Sequence, residues 1–292
     1  MTRRTVIACV VIAGASTGAG AQTRRVNVGD ATINYELTGR GTTVVFIHGW
    51  AQDLTIWDDQ VAALAPRYQV LRYDRRGYGA STGHADPTAD PDDLRIVLDS
   101  LRIETAVVLG LSGGARTALN FAVAFPERVS ALVLYGVGPP VGFQPVPAGP
   151  LPNERFGEIA RKHGLDSLRK FVGSIGLTWE PPNRPDYRAR LERMWSRYEA
   201  RDLLDPRPPS GRVPAARMDQ LNRIRVPTLM IVGDHERPLF RLVADTLTRR
   251  MASARQVVIT EGGHGAHFAQ PERFNAALAA FLAEAIDGAK PR

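Results

Sequence analysis

The chain has 292 residues, 44% hydrophobic and 23% charged, the balance of a soluble globular protein with one large or two small domains rather than a disordered or membrane-spanning chain. Its formal charge is +7, but only Lys162, Lys170 and Lys290 among 37 basic residues are lysines, and the excess does not fall in runs. No nucleic-acid motif accompanies this arginine-carried charge, so it reads as compositional habit and no nucleic-acid partner is expected.

At the N-terminus, Arg3 and Arg4 precede an apolar stretch from Thr5 to Ala15, and small residues follow up to Ala19-Gly20-Ala21 before Gln22. This is the layout of a secretory signal peptide, so residues 1–21 are expected to be removed and the mature chain exported to the periplasm. The stretch is too short and too rich in glycine for a membrane span. The one cysteine, Cys9, lies inside it. A mature chain without cysteine has no disulfide and depends on its core.

Residues 25–37 alternate apolar and polar around Gly29-Asp30, which predicts a β-hairpin. Continuous apolar runs at Val44–Ile47, Val70–Tyr73, Ala106–Leu109 and Ala131–Leu134 predict buried strands, with helices at Trp57–Ala65, Asp92–Leu101 and Gly114–Phe125 between them. Such βαβ alternation implies a mostly parallel sheet covered on both faces. The rhythm then stops. From Pro139 to Asn222 proline-rich loops separate three predicted helices, Asn153–Ile175, Asp186–Leu204 and Ala215–Ile224, with fourteen basic and ten acidic residues that read as a solvated face. The sheet resumes at Thr228–Val232 and Arg255–Ile259, followed by helices Leu239–Met251 and Pro271–Ala285. The expected organisation is an α/β core of residues 22–138 and 223–292 with a helical cap at 139–222.

Within this pattern, Gly110-Leu111-Ser112-Gly113-Gly114 sits between a strand and a helix. A serine at so sharp a turn is a nucleophile elbow: bulk is excluded on both sides, and the helix N-terminus points its N–H groups at the hydroxyl. An activated serine needs a base, and the base needs a carboxylate to orient it. His264, in Gly262-Gly263-His264-Gly265 beyond the last strand, lies at the same sheet edge and is the candidate base, with His267 as runner-up. The acid is expected after the preceding strand, where Gly233-Asp234-His235-Glu236 offers both Asp234 and Glu236.

These segments, with His48-Gly49-Trp50 and Tyr73-Asp74-Arg75-Arg76-Gly77-Tyr78-Gly79, resemble the α/β-hydrolase fold over nearly all of residues 26–286. Within it they are most similar to haloperoxidase-like, enol-lactonase-like and esterase-like members. The resemblance implies an eight-stranded, mostly parallel sheet and selects Glu236 as the acid, three residues after the strand-end glycine, with Asp234 as the alternative; the family's usual residue there is aspartate. It also implies an oxyanion hole built from the N–H groups of Trp50 and Gly113. His48 is read as a brace for its loop, and Asp74 and Arg75 as anchors of the turn through Gly77 and Gly79.

The expected activity is hydrolysis of a small carboxylic ester or lactone through an acyl-enzyme on Ser112, needing no cofactor and no metal. Alternatives on the same residues are carbon–carbon bond hydrolysis, terminal peptide cleavage, perhydrolysis, or a slow ligand receptor. The cap is expected to shape the substrate pocket, with Leu111, Phe143, Trp179 and Trp195 as candidate lining residues.

Overall fold

The computed structural model describes residues 24–144, 153–174, 180–182 and 184–287. Eight strands form one sheet: β1 (Arg24–Asn27), β2 (Thr32–Thr38), β3 (Thr43–Ile47), β4 (Gln69–Tyr73), β5 (Ala106–Leu111), β6 (Val129–Tyr135), β7 (Thr228–Gly233) and β8 (Ala254–Ile259). Their spatial order is β1-β2-β4-β3-β5-β6-β7-β8. Strands β1 and β2 pair antiparallel, as do β2 and β4, and every other pairing is parallel.

Nine helices accompany the sheet in the described residues: α1 (Asp58–Leu64), α2 (Asp90–Ser100), α3 (Gly113–Ala124), α4 (Asn153–Ser174), α5 (Asp186–Ser196), α6 (Arg201–Leu204), α7 (Pro238–Arg250), α8 (Ala266–Ala269) and α9 (Pro271–Leu282). Central strands are mostly apolar because helices cover both faces. In β3, Val45 and Ile47 join one core with Leu94 and Val97 of α2, Ala118 and Phe121 of α3, and Val243 of α7. Val44 and Phe46 face the other way, into a core with Leu64 of α1 and Phe274 and Leu278 of α9. Burying each of these large side chains contributes about 1.5–3 kcal/mol. Prolines occupy first-turn positions of α2, α7 and α9, where no N–H is needed.

Between β6 and β7 the chain leaves the sheet, and α4, α5 and α6 occur there. Phe156, Ala160 and Leu168 of α4 bury with Ala200 and Leu203 in a small core of their own. Two expectations are corrected in this segment. The single helix predicted over Asp186–Leu204 is two, because Ala200 adopts φ 52° and turns the chain between α5 and α6. The predicted Ala215–Ile224 helix is a 3-10 turn at Met218–Arg223, preceded by a bridge between Val141 and Arg217. Helix α4 also breaks, at Gly164 with φ 79°. The leader, residues 1–21, and Trp179 lie outside the described residues.

Candidate active site

Ser112 stands between β5 and α3 with φ 53° and ψ −112°. For a residue with a Cβ this backbone costs about 1–3 kcal/mol, and such strain persists only where surrounding packing enforces it. The enforcement is visible here. A side chain on Gly110 would collide with the Gly114 carbonyl, and one on Gly114 would collide with the carbonyls of Ile47 and His48. Helix α3 can therefore start directly against β3 and β5. Its first turn is closed by Arg116 N–H donating to the Ser112 carbonyl at 3.0 Å.

Strand pairing brings the other groups to this point. Leu111 is in register with Tyr135, and Ser112 N–H donates to the Tyr135 carbonyl at 2.9 Å, so Ser112 lies level with Gly136. A Cβ on Gly136 would come within 2.6 Å of the His264 ring and 3.5 Å of Glu236 Oε2; only glycine leaves the imidazole room there. His264 Nδ1 is 3.0 Å from Glu236 Oε2, and Glu236 Oε1 accepts the Arg237 N–H at 2.9 Å. The Glu236 side chain is fully buried and the imidazole largely so. Phe240 stacks on the ring at 4.5 Å, and Tyr135 Oη donates to the Gly263 carbonyl at 2.6 Å while accepting from Ala266 N–H. Burial, then the Glu236 charge, holds that phenol well above its usual pKa, so it stays protonated. Among the described residues the Ser112 hydroxyl makes no hydrogen bond, to His264 or to another group; such bonds commonly tighten only with substrate bound.

Asp234 is engaged elsewhere. It accepts the N–H groups of Glu261 and Gly262 at 2.9 and 3.0 Å and so fixes the loop that carries His264. Its partial burial raises the carboxyl pKa, but those two N–H groups outweigh this and hold it below the usual value. His267 is fully enclosed among Trp57, Tyr135, Phe268 and Phe274, and neither ring nitrogen has a hydrogen-bond partner in the described residues. Burial, then the charges of His264 and Arg190, push its pKa down to about 3. It is a neutral core residue without access to Ser112.

The loop after β3 passes over the elbow. His48 is buried, its Nδ1 donating to the Gly49 carbonyl at 2.8 Å and its Nε2 accepting Arg75 N–H at 2.9 Å. Burial, then the Arg75 charge, lowers its pKa to about 3, so it braces the loop as a neutral ring. Gln52 Oε1 accepts Gly49 N–H, and Ala51 adopts φ 56°. The Trp50 nitrogen lies 3.8 Å from where a Cβ of Gly113 would stand, so its amide is beside the residue that follows Ser112. Asp74 anchors its turn by accepting from Leu54, Ala80 and Asn34. Arg75 does something else: it pairs with buried Asp90 through Nε at 2.9 Å and Nη2 at 2.5 Å, and its Nη1 faces Gly113.

A cavity of about 510 Å³ opens over Ser112, Gly113 and Trp50, walled by Arg75, Tyr78, Arg116, Arg161, Asp202 and Leu203 among others. The expected lining residues are placed differently. Leu111 ends β5 fully buried in one core, and Phe143 is buried in the other. Trp195 packs between the sheet-side core and the cap core. None of the three lines the cavity, because each is used for docking. Among the residues that do line it and were not singled out from sequence are three charged ones, Arg116, Arg161 and Asp202.

A family model described as Alpha/beta hydrolase family matches residues 44–277. The chain is 30% identical over 267 residues to a 2-hydroxy-6-oxononadienedioate/2-hydroxy-6-oxononatrienedioate hydrolase of Paraburkholderia phymatum, covering 86% of this chain and 91% of that protein. It is 27% identical over 261 residues to a pimeloyl-[acyl-carrier protein] methyl ester esterase of Nitrosomonas europaea, covering 84% of this chain and 97% of the relative. The crystal structure of the enol-lactonase from Burkholderia xenovorans LB400 superposes with a TM-score of 0.75 at 23% identity, over 89% of this chain and 99% of that one. The chain belongs to the alpha/beta hydrolase family and is an enzyme of that family.

Proposed function

We propose that the protein hydrolyses a small carboxylic ester or lactone through an acyl-enzyme on Ser112. His264 takes the Ser112 proton as the hydroxyl oxygen attacks the carbonyl carbon, and Glu236 keeps the ring oriented and balances its positive charge. The N–H groups of Trp50 and Gly113 receive the oxyanion, worth about 3–4 kcal/mol for each donor in comparable sites. The tetrahedral species collapses, His264 returns the proton to the departing alcohol, and water repeats the sequence on the acyl carbonyl to free the acid and Ser112.

The observation that carries this reading is the buried His264–Glu236 pair beside Gly136, level with a strained Ser112. The likeness to a methyl ester esterase supports an ester. A second reading is favoured by the likeness to the 2-hydroxy-6-oxononadienedioate hydrolase: that compound has a ketone and no ester, so its hydrolysis breaks a carbon–carbon bond.

Pre-steady-state turnover separates the two. Short-chain p-nitrophenyl esters are expected to give a burst of one nitrophenolate per chain, followed by steady turnover, and small lactones to open. Turnover of a 2-hydroxy-6-oxo-dienoate with neither ester nor lactone hydrolysed would move the assignment to carbon–carbon cleavage.

We also infer that the chain is exported, from Arg3 and Arg4, the apolar run and Ala19-Gly20-Ala21. Intact mass of the protein from its native host should begin at Gln22; a full-length chain in the cytoplasm contradicts this.

A further inference from the structure

The cavity above Ser112 has an uneven charge lining. Arg75, Arg116 and Arg161 contribute three guanidiniums and Asp202 one carboxylate. The charge of Arg75 is answered directly behind it by Asp90. Asp202 accepts from the Trp50 indole at 2.8 Å and from the hydroxyls of Tyr78 and Tyr198 at 3.2 and 2.5 Å, so its oxygens are occupied by neutral donors.

Arg161, on α4, donates to the Leu203 carbonyl at 2.8 Å and has no ion pair among the described residues. Arg116 has neither an ion pair nor a side-chain hydrogen bond among them. By contrast, the half-buried or buried guanidiniums of Arg72, Arg76, Arg95 and Arg128 are each paired with a carboxylate. Arg116 is open to water through the cavity yet surrounded by protein on its other sides. That enclosure, then the nearby Arg75 charge, lowers its pKa, the signature of a cation lacking an anion.

Position makes the free guanidinium relevant to the reaction. Arg116 lies in the first turn of α3, directly after Ser112, and both side chains line the same cavity. Arg161 approaches the same cavity from the cap. Discounting the Arg75–Asp90 pair, the lining sums to one positive charge: two guanidiniums against the Asp202 carboxylate. A carboxylate neutralises that excess, whereas a phosphate dianion overshoots it. A planar carboxylate also matches the two-pronged donor geometry of a guanidinium.

We propose that the substrate carries, besides its scissile carbonyl, a carboxylate that Arg116 binds and Arg161 reinforces from the cap. This deepens the proposed function and rests on it, since it takes Ser112 as the reacting group.

Binding is measured by calorimetry on Ser112→Ala protein, which cannot turn its ligands over. One arm compares monomethyl esters of the dicarboxylic acids from succinate to suberate with methyl alkanoates of equal length, which puts the carboxylate on the acyl side. The other compares 4-acetoxybenzoate with phenyl acetate, which puts it on the leaving side. In one arm the anionic ligand should bind at least tenfold more tightly, and the preference should fall as salt rises. Adding Arg116→Gln should reduce it to about twofold or less, and adding Arg116→Lys should restore part of it.

The proposal is overturned when no anionic ligand in either arm is preferred, when neither partner of any pair binds, or when the preference survives Arg116→Gln. Because the comparison between ligands needs no change at Arg116, a folding defect in that variant leaves the test intact. Ester turnover by the unaltered enzyme reports separately on Ser112: turnover of esters without a carboxylate preference removes the anion site and keeps the hydrolase.

Discussion

Glu236 and Asp234 are two residues apart on one loop and have opposite surroundings. Glu236 is enclosed, with one oxygen on His264 and the other on its neighbour's N–H, while Asp234 is half-buried and holds the loop through two backbone bonds. A carboxylate that only shapes a turn and one that orients an imidazole respond differently to neutralisation. Glu236→Gln is expected to lower kcat by about 10³–10⁴-fold with the fold retained, because an amide can hold the ring in the wrong tautomer. Asp234→Asn should cost about 1–2 kcal/mol of stability and leave kcat within a few-fold. Steady-state kinetics and thermal melts on the two variants check this, and the reverse pattern would give Asp234 the role assigned to Glu236. At this scale the sequence was informative wherever a residue's neighbours along the chain decide its setting. Ser112 between glycines and His264 beyond a strand are of that kind. Arg116 was not legible, because a helical arginine is solvated by default and only the approach of Arg161 and Leu203 makes it part of a cavity wall.

The short helix α6 is one of the links between the β6–β7 segment and the loop over Ser112, beside the Arg197–Asp53 pair. Its Asp202 gathers the Trp50 indole, Tyr78 and Tyr198, while Arg201 donates to the carbonyls of Gly79 and Ser81 at 2.7 and 3.0 Å. Trp50 is further stacked on Phe156 of α4 at 5.0 Å. The backbone amide assigned to the oxyanion is therefore positioned by a side chain clasped from the cap. Asp202→Ala should release the indole and lower kcat/KM for a neutral ester roughly 10–100-fold, since small misplacements of reacting groups cost that much. Tyr78→Phe removes one long hydrogen bond and should cost less than about threefold. Kinetics of both variants on one ester decide it; an unaffected Asp202→Ala enzyme would mean the clasp is irrelevant to rate. The α5–α6 break that makes the clasp possible was invisible in the sequence. Nothing in Ser196-Arg197-Tyr198-Glu199-Ala200 breaks a helix by itself, and Ala200 makes its left-handed turn while buried with Phe156 and Leu203. The sheet was legible for the opposite reason: strands covered on both faces must be continuously apolar, and that pattern needs no tertiary knowledge.

Across the molecule, stability depends on two histidines kept neutral far from water. His48 and His267 both have folded-state values pushed down to about 3, against 6.5 when exposed. Below pH 6.5 the unfolded chain binds protons that the folded chain refuses. The stability each contributes is thus complete above 6.5 and is lost as pH falls towards 3, at up to about 1.4 kcal/mol per pH unit per histidine. Denaturant midpoints should fall steadily from pH 6.5 to 4.5. His267→Phe keeps the aromatic packing against Trp57 and Phe274 and should remove about half of that slope. An unchanged slope in this variant would mean that other groups govern acid unfolding.

All of these statements converge on one hydroxyl. Incubation of the folded protein with a fluorophosphonate probe, followed by intact mass and peptide mapping, tests the central claim directly. One probe per chain is expected, attached to Ser112, with ester turnover lost in step and no labelling of Ser112→Ala. A folded protein that hydrolyses esters while Ser112 remains unlabelled, or that is labelled at another residue, would contradict it.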